Sequence, residues 1–420
     1  MPGAMGIWST IQTQDDRTFC AVAISGGGTR AAAVGTKALK TLLEISVGFE
    51  DPDGKPIKSS LANEIDLICG ISGGSFAAAS WCLDLKTFDQ RFVEKNIQRH
   101  IAMNAIGWRG IAAACSESYS RINWAAEHYD TYVFEGKTFS NLPARPILRI
   151  HATNLSLGQR FTFDTYTFES LNSDLGSYPI AYACAASSAF PGLLSPMTIR
   201  NFEPSRDLMS DLAYQANKRN ARSDLNEALI VTTAEFYNNK TNNFVHLADG
   251  GLVDNQGLQS ILDEFRTGGI INSRLNFSTP PLRRLIIINI NAGVEPGDEI
   301  STKSAPPGIL PVLKQTLVAS MDILSAKRWM EIKKEAASLY QSHIDRADQA
   351  SFRDLEEPFL IEISFRNIRD AHLRNAAMAL PTSFHLTKDQ LDLIDNVVPT
   401  LIKEDPEMIR LLQSLNTTIR

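Results

Sequence analysis

Cysteine is sparse and unpatterned in this 420-residue chain. Its five cysteines, Cys20, Cys69, Cys82, Cys115 and Cys184, are odd in number and far apart, which excludes a disulfide framework and a zinc-ligand spacing. Cys20, Cys69 and Cys184 sit among Val, Ile and Ala and read as buried thiols acting as small hydrophobes. Long apolar runs are missing: none reaches the roughly 18 residues of a membrane-spanning helix. An excess of positive charge is missing too. Forty-one Lys and Arg against 47 Asp and Glu leave a net charge of -6, which excludes a broad basic field for nucleic acid. A lipid surface stays open, because interfacial proteins also bind through local apolar patches. There is no internal repeat, no low-complexity tract and no metal-ligand cluster, and nothing calls for a cofactor.

The composition, 44% hydrophobic and 21% charged, is that of a globular protein able to bury a large core. Short apolar segments bounded by glycine or polar residues predict strands at Thr18–Ile24, Ile65–Cys69, Pro146–Ala152, Ala228–Phe236, Phe244–Ala248, Leu285–Ile290 and Phe359–Ser364. Helices are predicted at Thr29–Ile45 and Gly73–Leu83. Strands alternating with helices indicate an α/β class with a parallel or mixed sheet covered on both faces. Polar stretches at Glu203–Asn226, Gly268–Pro281 and Gly293–Gly308 read as surface insertions. Leu310, Leu313, Leu317, Met321 and Leu324 share one helical stripe, read as packing on the sheet, with a lipid-facing lid as the other reading. A second apolar stretch, Ile106–Ile111, carries Trp108. Residues 1–17 read as a peripheral segment. Its opening Met1-Pro2-Gly3-Ala4-Met5 looks like a cloning scar, which leaves room for a lost export or lipid-anchor segment.

Three glycine motifs carry the chemistry. Ser25-Gly26-Gly27-Gly28-Thr29-Arg30-Ala31 joins a strand to a helix, where exposed backbone N–H groups at a helix N-terminus make an anion site. That site suits an oxyanion or a nucleotide phosphate, since the glycine spacing also fits a loose dinucleotide fingerprint. Gly70-Ile71-Ser72-Gly73-Gly74 is a G-x-S-x-G string between a strand and a small-residue helix, the setting of a nucleophile elbow. Asp249-Gly250-Gly251-Leu252-Val253-Asp254-Asn255 follows a strand. It offers Asp249 as a base or as a turn cap, with Asp254 and Asn255 bracing the loop. Together they supply oxyanion donors (Gly26, Gly27, Gly28 and Gly73), a nucleophile (Ser72) and a base (Asp249), the minimum for acyl transfer.

These motifs, in this order, resemble the patatin-like phospholipase family, its bacterial members especially. Ala185-Ala186-Ser187-Ser188-Ala189-Phe190-Pro191 is similar to the family's alanine-serine-proline segment, and Asn154-Leu155-Ser156-Leu157-Gly158 to its strand-following turn. The resemblance covers residues 18–260. It implies a three-layer α/β/α sandwich around a mostly parallel sheet, with a Ser72–Asp249 dyad and no catalytic histidine. It also implies a lipid acyl hydrolase of phospholipase A or lysophospholipase type, a phospholipid or other lipid ester as substrate, and contact with a membrane surface. Two positions depart from the patatin pattern, Ser25 in place of Asp and Ala31 in place of Gly. The Ser-Gly-Gly-Gly-x-Arg-Ala form is instead similar to the cytosolic phospholipases, which lends Arg30 a role in holding lipid phosphate; the other reading is a structural brace. Residues 18–300 then form the catalytic domain and 301–420 a helical extension packed on it. The chain reads as soluble or peripheral to a membrane.

Three other readings stand beside this one. A histidine-dependent esterase would draw on His343, His372 or His385, none in a motif-like setting; His246, three residues before Asp249, would at most flank the site. A nucleotide-binding protein would use the first glycine loop but leaves Gly70–Gly74 unexplained. A member without activity would keep the motifs for lipid or partner binding.

Overall fold

The computed structural model describes residues 17–50, 56–83, 92, 120–191, 194–202, 207–221, 224–266, 269–277, 280–294, 304, 306, 308–345, 355–383 and 385–417. The opening 16 residues, the Ile106–Ile111 stretch, Cys115 and the greater part of the Gly293–Gly308 insertion lie outside them, as do the side chains of Leu310 and Leu313.

Ten strands occur in the described chain: β1 (Thr18–Ile24), β2 (Ser46–Glu50), β3 (Pro56–Ser60), β4 (Ile65–Ile71), β5 (Ile147–Asn154), β6 (Gln159–Thr162), β7 (Met197–Arg200), β8 (Phe244–Ala248), β9 (Arg284–Asn291) and β10 (Phe359–Ser364). The helices that matter to the site are α1 (Gly28–Glu44), α2 (Gly73–Cys82), α3 (Ile180–Ser187), α4 (Leu225–Asn238), α5 (Leu258–Glu264), α6 (Ile309–Ile344), α7 (Lys388–Glu404) and α8 (Pro406–Thr417). The main sheet runs β10-β9-β1-β4-β5-β8-β7, with β6 hairpinned onto β5. The first five strands in that order are parallel, and β6, β7 and β8 close the far edge antiparallel. Every residue of β1 and β4 is buried. This is why both read as apolar runs, apart from Thr18 at the start of β1 and Asp66 in β4, which accepts the Cys20 N–H at 2.8 Å: a parallel strand between two helical layers has no solvent face.

The two layers follow from alternation along the strands. Cys20, Val22 and Ile24 point into the core with Val34 and Ala38 of α1, Phe76 and Ala77 of α2, Ala183 of α3 and Val398 of α7. Phe19, Ala21 and Ala23 point the other way, to Leu258 and Ile261 of α5 and Trp329, Ile332 and Ala336 of α6. The result is the expected α/β/α sandwich. The chain leaves β1 for β4 on one side and returns later to place β9 on the other. The carboxyl end of β1 is therefore a point where the connections diverge, and open α/β sheets form their crevices there.

Several expectations change. Ala228–Phe236 is not a strand but part of helix α4. Its β-branched residues mislead; Val231, Ala234 and Tyr237 are buried at helical spacing while Leu229 and Ile230 face out. Asp224 accepts the Glu227 N–H at 3.2 Å at its start. The Glu203–Asn226 stretch contains a helix, Leu212–Asn220, and Gly268–Pro281 contains another, Ile270–Phe277. The inward stripe of α6 is Ser325, Trp329, Ile332 and Ala336, whereas Leu324 is exposed. The segment after residue 300 is not purely helical. It supplies β10, paired with β9 from Phe359↔Ile286 to Ser364↔Asn291. It is stitched to β9 where the buried Arg284 bonds Ser414 of α8 at 3.0 Å and faces Glu356 at 3.3 Å.

That closure is testable. A chain ended at residue 308 would leave β9, with Ile286, Ile287 and Ile288, as an open apolar edge. It should elute from size exclusion as aggregate; a monodisperse, folded product would show that residues 18–300 stand alone.

Candidate active site

β4 ends at Ile71 and α2 begins at Gly73, so Ser72 must reverse the chain in one residue. It does so at φ 50, ψ -125, a conformation that costs a residue bearing a Cβ about 1–3 kcal/mol. The turn lifts the side chain to the carboxyl end of the sheet and the N-terminus of α2, where the helix dipole favours negative charge. Tight packing makes the strained turn hold. The Ser72 carbonyl accepts the Ser75 N–H at 3.0 Å and the Ser75 hydroxyl at 2.5 Å. The Ser72 N–H donates to Ser187 Oγ at 2.8 Å. A Cβ on Gly73 would overlap the Gly28 carbonyl oxygen, so only glycine lets the elbow and the first glycine loop touch.

Asp249 arrives at the end of β8. Its Oδ2 accepts the Ser72 hydroxyl at 2.9 Å and its Oδ1 the Gly251 N–H at 2.7 Å. Both residues of this pair are buried, Ser72 at 7% and Asp249 at 4% exposure. Burial pushes the Asp249 carboxyl up to about 6; the bonds from Gly251 and Ser72 pull against that shift without cancelling it. The backbone beyond is pinned by Asp249 N–H to Ala189 O and Gly250 N–H to Ser187 O, each at 3.0 Å, and by Thr153 Oγ donating to Asp249 O at 2.8 Å. Asp254 braces the loop, accepting the N–H groups of Leu258 and Gln259.

The first glycine loop adjoins the elbow. Gly27 and Gly28 hold φ 141 and φ 63, open to glycine, and α1 starts at Gly28. Among the described residues, no acceptor takes the N–H of Gly27, Gly28 or Gly73. Gly26 departs from expectation: its N–H is spent on Asn255 O at 2.8 Å, so it lashes the loop to the Asp249 segment. Ser25, standing where patatins carry Asp, is a local strut whose Oγ donates to Gly26 O and accepts the Ala292 N–H.

Arg30 is 3% exposed. Its Nε donates to Ala292 O and its Nη1 to Leu380 O, both at 2.8 Å, and Nη1 also reaches Thr382 Oγ at 2.9 Å. Ser383 O accepts the Thr29 N–H at 3.3 Å and would lie 3.0 Å from a Cβ on Gly28. Residues 380–383 thus wall the glycine loop, a contribution without any sequence signal. Met321, which the sequence offers only as part of an apolar helical stripe, places its methyl 2.6 Å from where a Gly251 side chain would begin.

No histidine bonds either dyad residue among the described residues. His246 is exposed on β8 and meets Thr198 Oγ at 3.0 Å. His343 turns onto the Leu339 carbonyl of its own helix. His372 is exposed on the helix Ala371–Met378, and His385 bonds Ser383 through its backbone. His151, buried in β5, is held between Thr162 and Ser260, and burial depresses its basicity. The four described cysteines are buried, and burial pushes the thiols of Cys69 and Cys184 up to about 12, far from a reactive thiolate. Among the described residues, no group of His, Cys, Asp and Glu is placed to hold a metal, and no helix is long and apolar enough to cross a membrane.

No curated protein matches the chain. Among solved structures, human GIVD cytosolic phospholipase A2 is similar at a TM-score of 0.45 and 10% identity, over 99% of this chain and 63% of its own. VipD from Legionella pneumophila is similar at a TM-score of 0.33 and 12% identity, over 95% and 67%. The chain therefore spans less than two thirds of the human protein's length. The family model described as patatin-like phospholipase matches residues 22–262, more than half of the sequence, from β1 into α5 and across both Ser72 and Asp249, and the chain belongs to that family.

Proposed function

We propose that the protein is a lipid acyl hydrolase of phospholipase A or lysophospholipase type, working through a Ser72–Asp249 dyad and an acyl-enzyme. The observation that carries this is the 2.9 Å bond from Ser72 Oγ to a buried carboxylate, made from a strained turn at a helix N-terminus. Asp249 takes the hydroxyl proton as Ser72 Oγ attacks the ester carbonyl. The carbonyl oxygen becomes an oxyanion, which the N–H groups of Gly27, Gly28 and Gly73 hold. One such donor is typically worth about 2.7–4 kcal/mol at the transition state. The tetrahedral intermediate collapses, the C–O bond to the leaving alcohol breaks, and Asp249 returns the proton to that alcohol. Water then attacks the acyl-enzyme with Asp249 again as base, releasing the fatty acid and restoring the Ser72 hydroxyl. The carboxyl's shift to about 6 suits this role: burial makes it a better base than a solvated carboxylate while leaving it ionised at neutral pH. No metal or organic cofactor enters these steps.

Arg30 serves this reading as a brace, with its Nε and Nη1 engaged on Ala292, Leu380 and Thr382. Contact with a lipid surface is supported by α6. Met321 reaches Gly251, while Val312, Ile323 and Met330 on the same helix are 45%, 58% and 69% exposed. Three large apolar side chains on one outward face of a helix beside the site fit an interfacial docking face.

Three outcomes are expected. Fluorophosphonate should label Ser72 alone, Ser72→Ala should abolish ester hydrolysis with the fold intact, and kcat/KM should rise with pH through about 6, where Asp249 loses its proton, a limb absent in Asp249→Asn. Hydrolysis that survives Ser72→Ala would end this reading. Arg30→Ala should slow a phosphate-free ester and a phospholipid by the same factor; selective loss on the phospholipid would make Arg30 a phosphate ligand. Ile323→Glu with Met330→Glu should cut hydrolysis of vesicle lipid at least about tenfold through lost apolar burial while sparing a soluble short-chain ester; equal effects would remove the docking face.

A further inference from the structure

We propose that Ser187 is a positioning residue for the dyad: its hydroxyl holds the amide of the nucleophile while its carbonyl holds the loop that carries the base. This rests on the Ser72–Asp249 reading above and deepens it.

The argument starts with the end of α3. Its other buried residues are Ile180, Ala181, Ala183, Cys184, Ala185 and Ala186, which pack into the core and offer no hydroxyl. Ser187, fully buried at the last position, departs from that pattern, and its Oγ meets the Ser72 N–H at 2.8 Å. Ser72 needs such an acceptor. Its left-handed turn lies beyond β4, whose last ladder partner is Ile71 against His151, so the sheet takes no further part in the pairing. A buried N–H without an acceptor is strongly disfavoured, and the Ile71–Ser72 peptide would rotate to find one. That rotation would carry the Ser72 hydroxyl off Asp249 and tilt Gly73, the next residue and a candidate oxyanion donor.

The same turn grips the base. Ser187 O accepts the Gly250 N–H, and Ala189 O accepts the Asp249 N–H, each at 3.0 Å. Nucleophile and base come from strands on opposite sides of β5, 177 residues apart in sequence. One short segment, Ser187–Ala189, bonds to both. It sets their separation more directly than the sheet, which brings β5 and β8 together only at Thr153↔Ala248 and Asn154↔Leu247.

The test compares Ser187→Ala with Ser187→Thr, which keeps the oxygen, using p-nitrophenyl butyrate and a fluorophosphonate. Ser187→Ala should lower kcat and the labelling rate of Ser72 by about ten- to a hundredfold with KM unchanged. It should also move the acidic limb of the rate profile to higher pH, because the Ser72 hydroxyl would no longer bond Asp249. Ser187→Thr should restore most of the rate. A role confined to packing would lower the melting temperature and leave kcat per labelled site and the pH limb where they were, which would overturn the proposal. Ser187→Cys, similar in size but a poorer acceptor, carries the same comparison if Ser187→Ala fails to fold. Esterase activity that survives Ser72→Ala removes the dyad and this proposal with it. Activity that needs Ser72 but is untouched by Ser187→Ala removes this proposal alone.

Discussion

The arrangement depends on keeping one carboxylate dry. In the reaction we propose, a solvated Asp249 would be a poor base for an alcohol; burial lifts its carboxyl to about 6. Burial is also a liability, because an unpaired buried charge is expensive. The structure answers with two bonds to the carboxylate, one from Gly251 N–H and one from the Ser72 hydroxyl. Further donors would drag the pKa back down and spend the basicity that burial creates. The Ser72 hydroxyl is itself one of the two, so in the proposed reaction stabilising the base and aligning the nucleophile are a single interaction.

The rest of the fold delivers that contact. A dry carboxylate needs protein on all sides, yet the proposed reaction needs Ser72 and Asp249 at the rim of the sheet, where an ester can reach them. The divergence of connections at β1 supplies the crevice, with the first glycine loop on one side and the elbow on the other. The antiparallel strand β8, paired on one side with β5 and on the other with the edge strand β7, brings Asp249 in from the opposite direction to β4. Two helix N-termini, those of α1 and α2, lie side by side where Gly28 meets Gly73, and the oxyanion of the proposed reaction would draw on their unsatisfied N–H groups.

How much of this was legible depends on where the information sits. The central strands β1, β4 and β9 and helices α1 and α2 were readable because burial on both faces leaves long apolar runs, and glycines mark their ends. Ser72, Asp249 and the three glycine loops were readable because backbone reversals at close quarters tolerate few residue types. Helix α4 was misread because Ile230, Val231, Thr232 and Thr233 favour strands locally, and only the tertiary spacing of Val231, Ala234 and Tyr237 shows the helix. Gly26 belongs to the right motif, but which glycine N–H is free depends on Asn255, 229 residues away in sequence. The Leu380–Ser383 wall was invisible, since apart from the Thr382 hydroxyl it contributes backbone carbonyls that any residue possesses.

Arg30 shows why motif and role separate. Its place in the Ser-Gly-Gly-Gly-x-Arg-Ala string resembles a phosphate-holding arginine, but the same guanidinium N–H groups also donate to carbonyl oxygens. Which it meets is decided by what the chain places in front of it. Here that is Ala292 after β9 and Leu380 after the helix Ala371–Met378. Buried at 3% exposure, with burial pulling its pKa down to about 10, Arg30 is still fully charged at neutral pH and needs those acceptors. The charge therefore ties the first glycine loop to the C-terminal third of the chain. Residues 380–383 thereby support the first glycine loop, so the C-terminal segment and the segment carrying that loop are bonded together even though the family match covers only the second.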